Sequence, residues 1–124
     1  MTVALRFQAA PEHVRTARLV AVAVARRAGM DEVRLDEIRL AVGEVCARAV
    51  RRSLQSGKPG GGDVVVELED QGPTLDVVVT DGAGLPESEE ESVSLPLVRG
   101  LADAVTVEDG PGGAGGIIRM TWAR

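Results

Sequence analysis

Apolar and polar residues alternate at the start of the chain. Val3, Leu5 and Phe7 stand against Ala4 and Arg6, the period-two pattern of a short half-buried strand over 2–7. The period then lengthens. Pro11 suits the first turn of a helix and Gly29 its far end, and between them Val14, Ala17, Ala21, Val24 and Ala28 recur at helical spacing as a core stripe. On the opposite face, at about 100° per residue, Arg15, Arg18 and Arg26 cluster with Leu19 and Val22 among them. An apolar patch framed by arginines has two readings: a surface for another protein, or a wide core stripe with snorkelling arginines.

A second helical pattern starts at Asp31 or Asp36 and runs to Leu54, with Ile38, Val42, Val45 and Ala49 as its stripe. It gives way to Ser56-Gly57-Lys58-Pro59 and three further glycines, a flexible connection. Valine-rich runs at 64–68 and 75–79, joined through Asp70-Gln71-Gly72-Pro73, read as two strands in a sheet covered on one face. Asp81-Gly82-Ala83-Gly84-Leu85-Pro86 breaks the second, and an acidic loop is expected over 87–91. Residues 94–104 predict a short helix through Leu95, Val98, Leu101 and Ala102, weakened by Gly100. Runs at 105–107 and 117–122 then read as a hairpin. The order β-α-α-β-β-α-β-β, with no repeat or linker dividing it, predicts one α+β domain over 1–124, a layer of helices on a mixed sheet.

Composition narrows the chemistry. Phe7 and Trp122 are the only aromatics in 124 residues, so platforms for stacking single-stranded bases are not expected. A net charge of −5 has the wrong sign for coating nucleic-acid phosphates. Cys46 stands alone, which excludes an internal disulfide, and with His13 as the one histidine no zinc site of the usual kinds is expected. The longest apolar run, 19–25, is far short of a membrane span, and no secretory leader is read at Met1, so a cytoplasmic domain is expected. His13 itself reads as an exposed helix-start histidine.

Two motifs fail on context. The glycines at 110, 112 and 115 match G-x-G-x-x-G, but a strand-like run follows where the fingerprint needs a helix. Ser56-Gly57-Lys58 hints at a phosphate-binding loop, yet Arg52 stands where that motif requires glycine.

Other segments carry a resemblance that spans nearly the whole chain. They are Ala17-Arg18, the stretch 40–50 containing Gly43-Glu44, the stretch 77–86 containing Asp81-Gly82-Ala83-Gly84, the stretch 95–103, and Gly115-Gly116-Ile117-Ile118-Arg119-Met120-Thr121-Trp122. In order and spacing the chain resembles the anti-sigma-factor serine/threonine kinases of bacterial switch modules, members of the GHKL (histidine kinase-like ATPase) superfamily. The resemblance implies a two-layer sandwich, a mixed and mostly antiparallel sheet under helices, with ATP between the layers. It also implies a homodimer that binds a sigma factor and phosphorylates a STAS-type antagonist, with no direct contact to nucleic acid or membrane. The family's sigma-contacting arginine maps onto Arg18, so partner contacts are expected at Arg15, Arg18, Leu19, Val22 and Arg26.

Three nucleotide-binding boxes come with the resemblance, and the chain departs from each. Glu44 matches the catalytic glutamate, but Arg48 replaces the magnesium-ligating asparagine. A guanidinium has no lone pair for a metal. On its helix Arg48 is expected to pair with Glu44, worth roughly 0.2–0.5 kcal/mol. Asp81 matches the adenine-binding aspartate, yet it directly precedes Gly82, the first glycine of the Gly82-Ala83-Gly84 turn, one residue short of the family spacing. In a strand such a slip turns a side chain to the other face, and an ordinary Asp-Gly turn explains the residues equally. Ser92 and Ser94 stand where the family has two phosphate-binding glycines, and Ser94 is also a sensible helix cap. Glu87, Glu89, Glu90 and Glu91 lie in the loop that should close over a triphosphate.

The expectation is an anti-sigma-factor-like regulator that binds a sigma factor, its antagonist or both. ATP or ADP is expected to bind weakly or not at all, with magnesium dependence doubtful. The alternative is an active serine/threonine kinase using Glu44 and an altered ATP site made by Arg48, Asp81, Gly82, Gly84, Ser92 and Ser94. A stand-alone histidine-kinase fragment would need a dimerisation helix with a phospho-accepting histidine, and none precedes Pro11.

Overall fold

A computed structural model describes residues 1–57, 62–83, 89–110 and 113–124, without the side chains of 89–94 and 113–115. Its elements in chain order are β1 (Thr2–Gln8), α1 (Glu12–Arg27), α2 (Glu32–Gln55), β2 (Asp63–Asp70), β3 (Thr74–Asp81), α3 (Glu89–Leu101), β4 (Ala104–Gly110) and β5 (Gly113–Ala123). The strands form one sheet in the order β1-β2-β3-β5-β4. Each of its four pairings is antiparallel, where a mixed, mostly antiparallel sheet was expected.

The alternation in the strands decides which face the helices cover. Val64, Val66 and Leu68 on β2, Leu75, Val77 and Val79 on β3, and Ile118, Met120 and Trp122 on β5 are buried. They meet the stripe of α2 (Leu35, Ile38, Val42, Val45, Ala49) and Ala17, Ala21 and Val24 of α1. Asp81 has the same odd parity as Val77 and Val79, so its side chain also enters the space between the layers. Trp122 is fully buried at the far end, and its Nε1–H donates to the Leu101 carbonyl at 3.0 Å, joining β5 to the end of α3.

Local chemistry sets the helix ends. Beyond α1, Gly29 takes φ +86°, its N–H reaches the Arg26 carbonyl and the Met30 N–H reaches that of Ala25, a Schellman closure that favours glycine. Asp31 caps α2 by accepting from the Arg34 N–H at 2.9 Å, which places the start of that helix at the earlier of the two aspartates. Arg34 then reaches Asp103 at 3.0 Å, and Asp103 also accepts from the Ala123 N–H at 2.7 Å, tying α2 to the end of β5.

Three local expectations need correction. Helix α3 begins at Glu89, so Glu89, Glu90 and Glu91 belong to helix rather than to an acidic loop; carboxylates in a first turn complement the helix dipole. The same shift puts Ser94 inside α3, so it does not cap the helix. His13 is half-buried, its ring 5.8 Å from that of Phe7, instead of standing in solvent.

Candidate functional site

The arginine-framed patch is a groove. Arg15, Arg18, Leu19, Val22, Ala23 and Arg26 on α1 and Arg39 on α2 line a depression of about 400 Å³. Spacings of three and four residues bring the α1 members to one side of the helix. Leu19 is 61% exposed. Val22 is only 7% exposed and belongs to the floor, because the groove cuts down toward the core between α1 and α2. Arg39 pairs with Asp36 at 2.7 Å and Arg26 approaches Glu32 at 3.8 Å. Among the described residues Arg15 and Arg18 make no ion pair. Arg18 instead lays its stem on α2, where a Cβ added to Gly43 would come within 2.8 Å of its Cδ. Beneath it the Cys46 thiol is pushed up to about 12 by burial, with the Arg18 charge pulling the other way. The groove can take an apolar side chain while presenting guanidinium donors to acidic groups around it.

Glu44 and Arg48 lie on α2, and Asp81 at the end of β3 reaches the same helix. Glu44 is half-buried and, among the described residues, in no ion pair; the expected bond to Arg48 does not form. Arg48 is 1% exposed, turned into the interior away from the water an exposed helical pair requires. One turn further on Arg52 is fully buried and donates from Nε to Asp81 Oδ2 at 3.1 Å. The second oxygen, Oδ1, accepts from the Ala83 N–H at 3.0 Å. Asp81 is therefore not a plain surface turn. Its side-chain exposure is 1% and both oxygens are engaged.

Gly82 follows at the half-buried edge of this site, while Gly84 and Glu87 lie outside the described residues. Ser92 and Ser94 are on the backbone of α3, and their side chains lie outside the described set. Ser94 sits beyond the first turn, where helix N–H groups are already donated internally, so its amide does not face a phosphate. Among the described residues two features count against magnesium-ATP: Arg52 is bonded to the carboxylate that the resemblance assigns to the base, and a buried guanidinium, with no lone pair for a metal, stands at the position of the metal-ligating asparagine. No cluster of three metal-ligating side chains occurs among the described residues.

Two contributors were missed in the sequence. Arg39 joins the groove from a second helix, which periodicity within α1 could not reveal. Arg52 had a legible signal, since the buried positions 38, 42, 45 and 49 continue at helical spacing to 52 and a cation there demands a buried counter-charge.

No helix among the described residues is long and apolar enough to cross a membrane. No curated protein matches the chain. Among solved structures it is similar to the RsbU and RsbW domains of Rv1364c from Mycobacterium tuberculosis, with 19% identity and a TM-score of 0.68. That match covers 99% of this chain and 32% of the other, so this chain spans about a third of the length of that solved chain. Residues 7–122 match the histidine kinase-like ATPase domain family, from within β1 to Trp122 in β5. With that match and the helix-on-sheet architecture, the chain belongs to the histidine kinase-like ATPase domain family.

Proposed function

We propose that the chain is an anti-sigma-factor-like regulator that works by holding a partner protein on the groove of α1, with weak or no binding of ATP. The observation that carries this reading is the groove itself, in which Arg15, Arg18 and Arg26 of α1 and Arg39 of α2 surround the exposed Leu19. In a chain of net charge −5 such a concentrated basic rim favours an acidic partner segment, with one apolar side chain seated beside Leu19. The partner proposed for it is an acidic helix of a sigma factor, and a STAS-type antagonist would compete for the regulator. The similarity to a structure named for an RsbW domain supports the same reading at the level of fold. A bacterial, cytoplasmic homodimer is part of the proposal.

The test is binding of a purified sigma factor to the immobilised chain, with Arg18→Glu in parallel. Affinity that falls with salt and is lost in the folded variant supports the reading; unchanged affinity in Arg18→Glu refutes it. A second reading, phosphorylation of the antagonist, rests on Glu44, which stands in the family's catalytic position without an ion pair among the described residues. Transfer of labelled phosphate from ATP to the antagonist, abolished by Glu44→Gln, would establish it.

A further inference from the structure

The Arg52–Asp81 pair sits between α2 and the sheet, where the family resemblance places the base end of a nucleotide cleft, and no partner-binding role uses it. Both groups are buried to within 1%. Arg52 Nε–H points at Asp81 Oδ2 from α2, across 29 residues of sequence, and the Ala83 N–H closes on Oδ1 in the turn after β3. The carboxylate is directed into the layer between helices and sheet by strand parity, so Arg52 approaches it from the side on which a ligand in that layer would lie. An N–H donor on a planar, delocalised group is also what a purine amino group would offer to the same oxygen.

We infer that Arg52 is a built-in occupant of the base end of the cleft: its Nε–H holds the Asp81 acceptor that an adenine amino group would otherwise take. This rests on the reading of the cleft as one with weak or no ATP binding, and names the group responsible. Folding and nucleotide binding then compete for one carboxylate oxygen. A nucleotide would have to displace a buried, charge-assisted hydrogen bond to reach that oxygen, an unfavourable exchange. The fold keeps the pin joining α2 to β3 that a bound base would provide and no longer needs the base.

The inference is tested by melting temperature with millimolar Mg-ADP, adenosine or inosine. The wild-type chain is expected to show no shift with any of them. Arg52→Ala frees the Asp81 carboxylate, and adenosine and Mg-ADP are then expected to raise its melting temperature, whereas inosine, which lacks the amino group, does not. Arg52→Ala/Asp81→Ala is expected to lose that response. A shift in the wild-type chain, or a folded Arg52→Ala that ignores adenosine, overturns the inference. Should Arg52→Ala fail to fold, the wild-type chain still decides: its Arg52 Nε–H resonance, assigned by its loss in Arg52→Lys, is expected to exchange slowly with solvent and to stay in place on addition of Mg-ADP. Fast exchange, or displacement by the nucleotide, overturns it. Capture of a sigma factor by α1 is read in a separate assay, so failure here leaves the partner-binding proposal standing and failure there leaves this one.

Discussion

Arg18 and Gly43 are in direct contact across the two helices: a methyl group on Gly43 would lie 2.8 Å from the Cδ of Arg18. The guanidinium is thus presented to the groove from a stem that rests on the backbone of α2. Gly43→Ala separates stability from recognition. Alanine favours a helix interior by about 1 kcal/mol over glycine, and the flexible stem above it can give way. If the groove holds the proposed sigma factor, the expected outcome is an unchanged or raised melting temperature with affinity for that partner weakened roughly tenfold, about 1.4 kcal/mol, measured by calorimetry on the folded variant.

Leu19 and Val22 line the same groove but differ in cost. Leu19→Asp alters a side chain that is mostly in water, so stability should change by about 0.5 kcal/mol or less while partner binding is lost. Val22→Asp puts a carboxylate into the floor and should cost about 3 kcal/mol or more. Chemical denaturation of the two variants side by side distinguishes them.

Asp103 gives the fold an acid-sensitive tie. The Ala123 N–H and then the Arg34 guanidinium hold its carboxyl below the usual carboxylate range, against an opposing effect of burial. A carboxyl with a folded pKa below its unfolded value, about 3.9, adds stability that is complete above that value and is lost as pH falls through the folded one. Because Asp103 is accessible to solvent, the effect should stay below about 1 kcal/mol. Asp103→Asn should be less stable than wild type at neutral pH, and the gap should narrow below about pH 4. Thermal midpoints across that range check it.

Cys46 is fully buried, and with its thiol near 12 the thiolate fraction at pH 7 is on the order of 10⁻⁵. The native chain should resist thiol reagents, and labelling should track the fraction unfolded in denaturant. Rapid modification of the native protein would contradict the burial.

The two long helices were readable because their stripes are clean: Val14, Ala17, Ala21 and Val24 on α1, and Ile38, Val42, Val45 and Ala49 on α2, follow helical spacing with charges elsewhere. The second face of α1 carrying Arg15, Arg18, Leu19 and Arg26 was visible for the same reason, but its spacing left open a partner surface and a wide core stripe, and only the fold shows a groove there. What escaped was set by contacts between elements. Val22 lies where the two faces of α1 meet, and only α2 packed alongside makes it a floor. The glutamates at 89–91 suit a solvated loop and a helix start equally, and the chain uses them as the latter. Arg52 continues the buried spacing of α2 and Asp81 marks the end of β3, but that the two meet depends on where β3 lies beneath α2 and shows only in the fold.

Trp122 is the chain's single tryptophan, and there is no tyrosine. Its indole is enclosed and bonded to the carbonyl of Leu101. Intrinsic emission from this protein therefore comes from one chromophore at one junction, with no tyrosine background to subtract. A red shift in its spectrum reports that α3 has parted from the end of β5, while events confined to the α1 groove leave the signal dark.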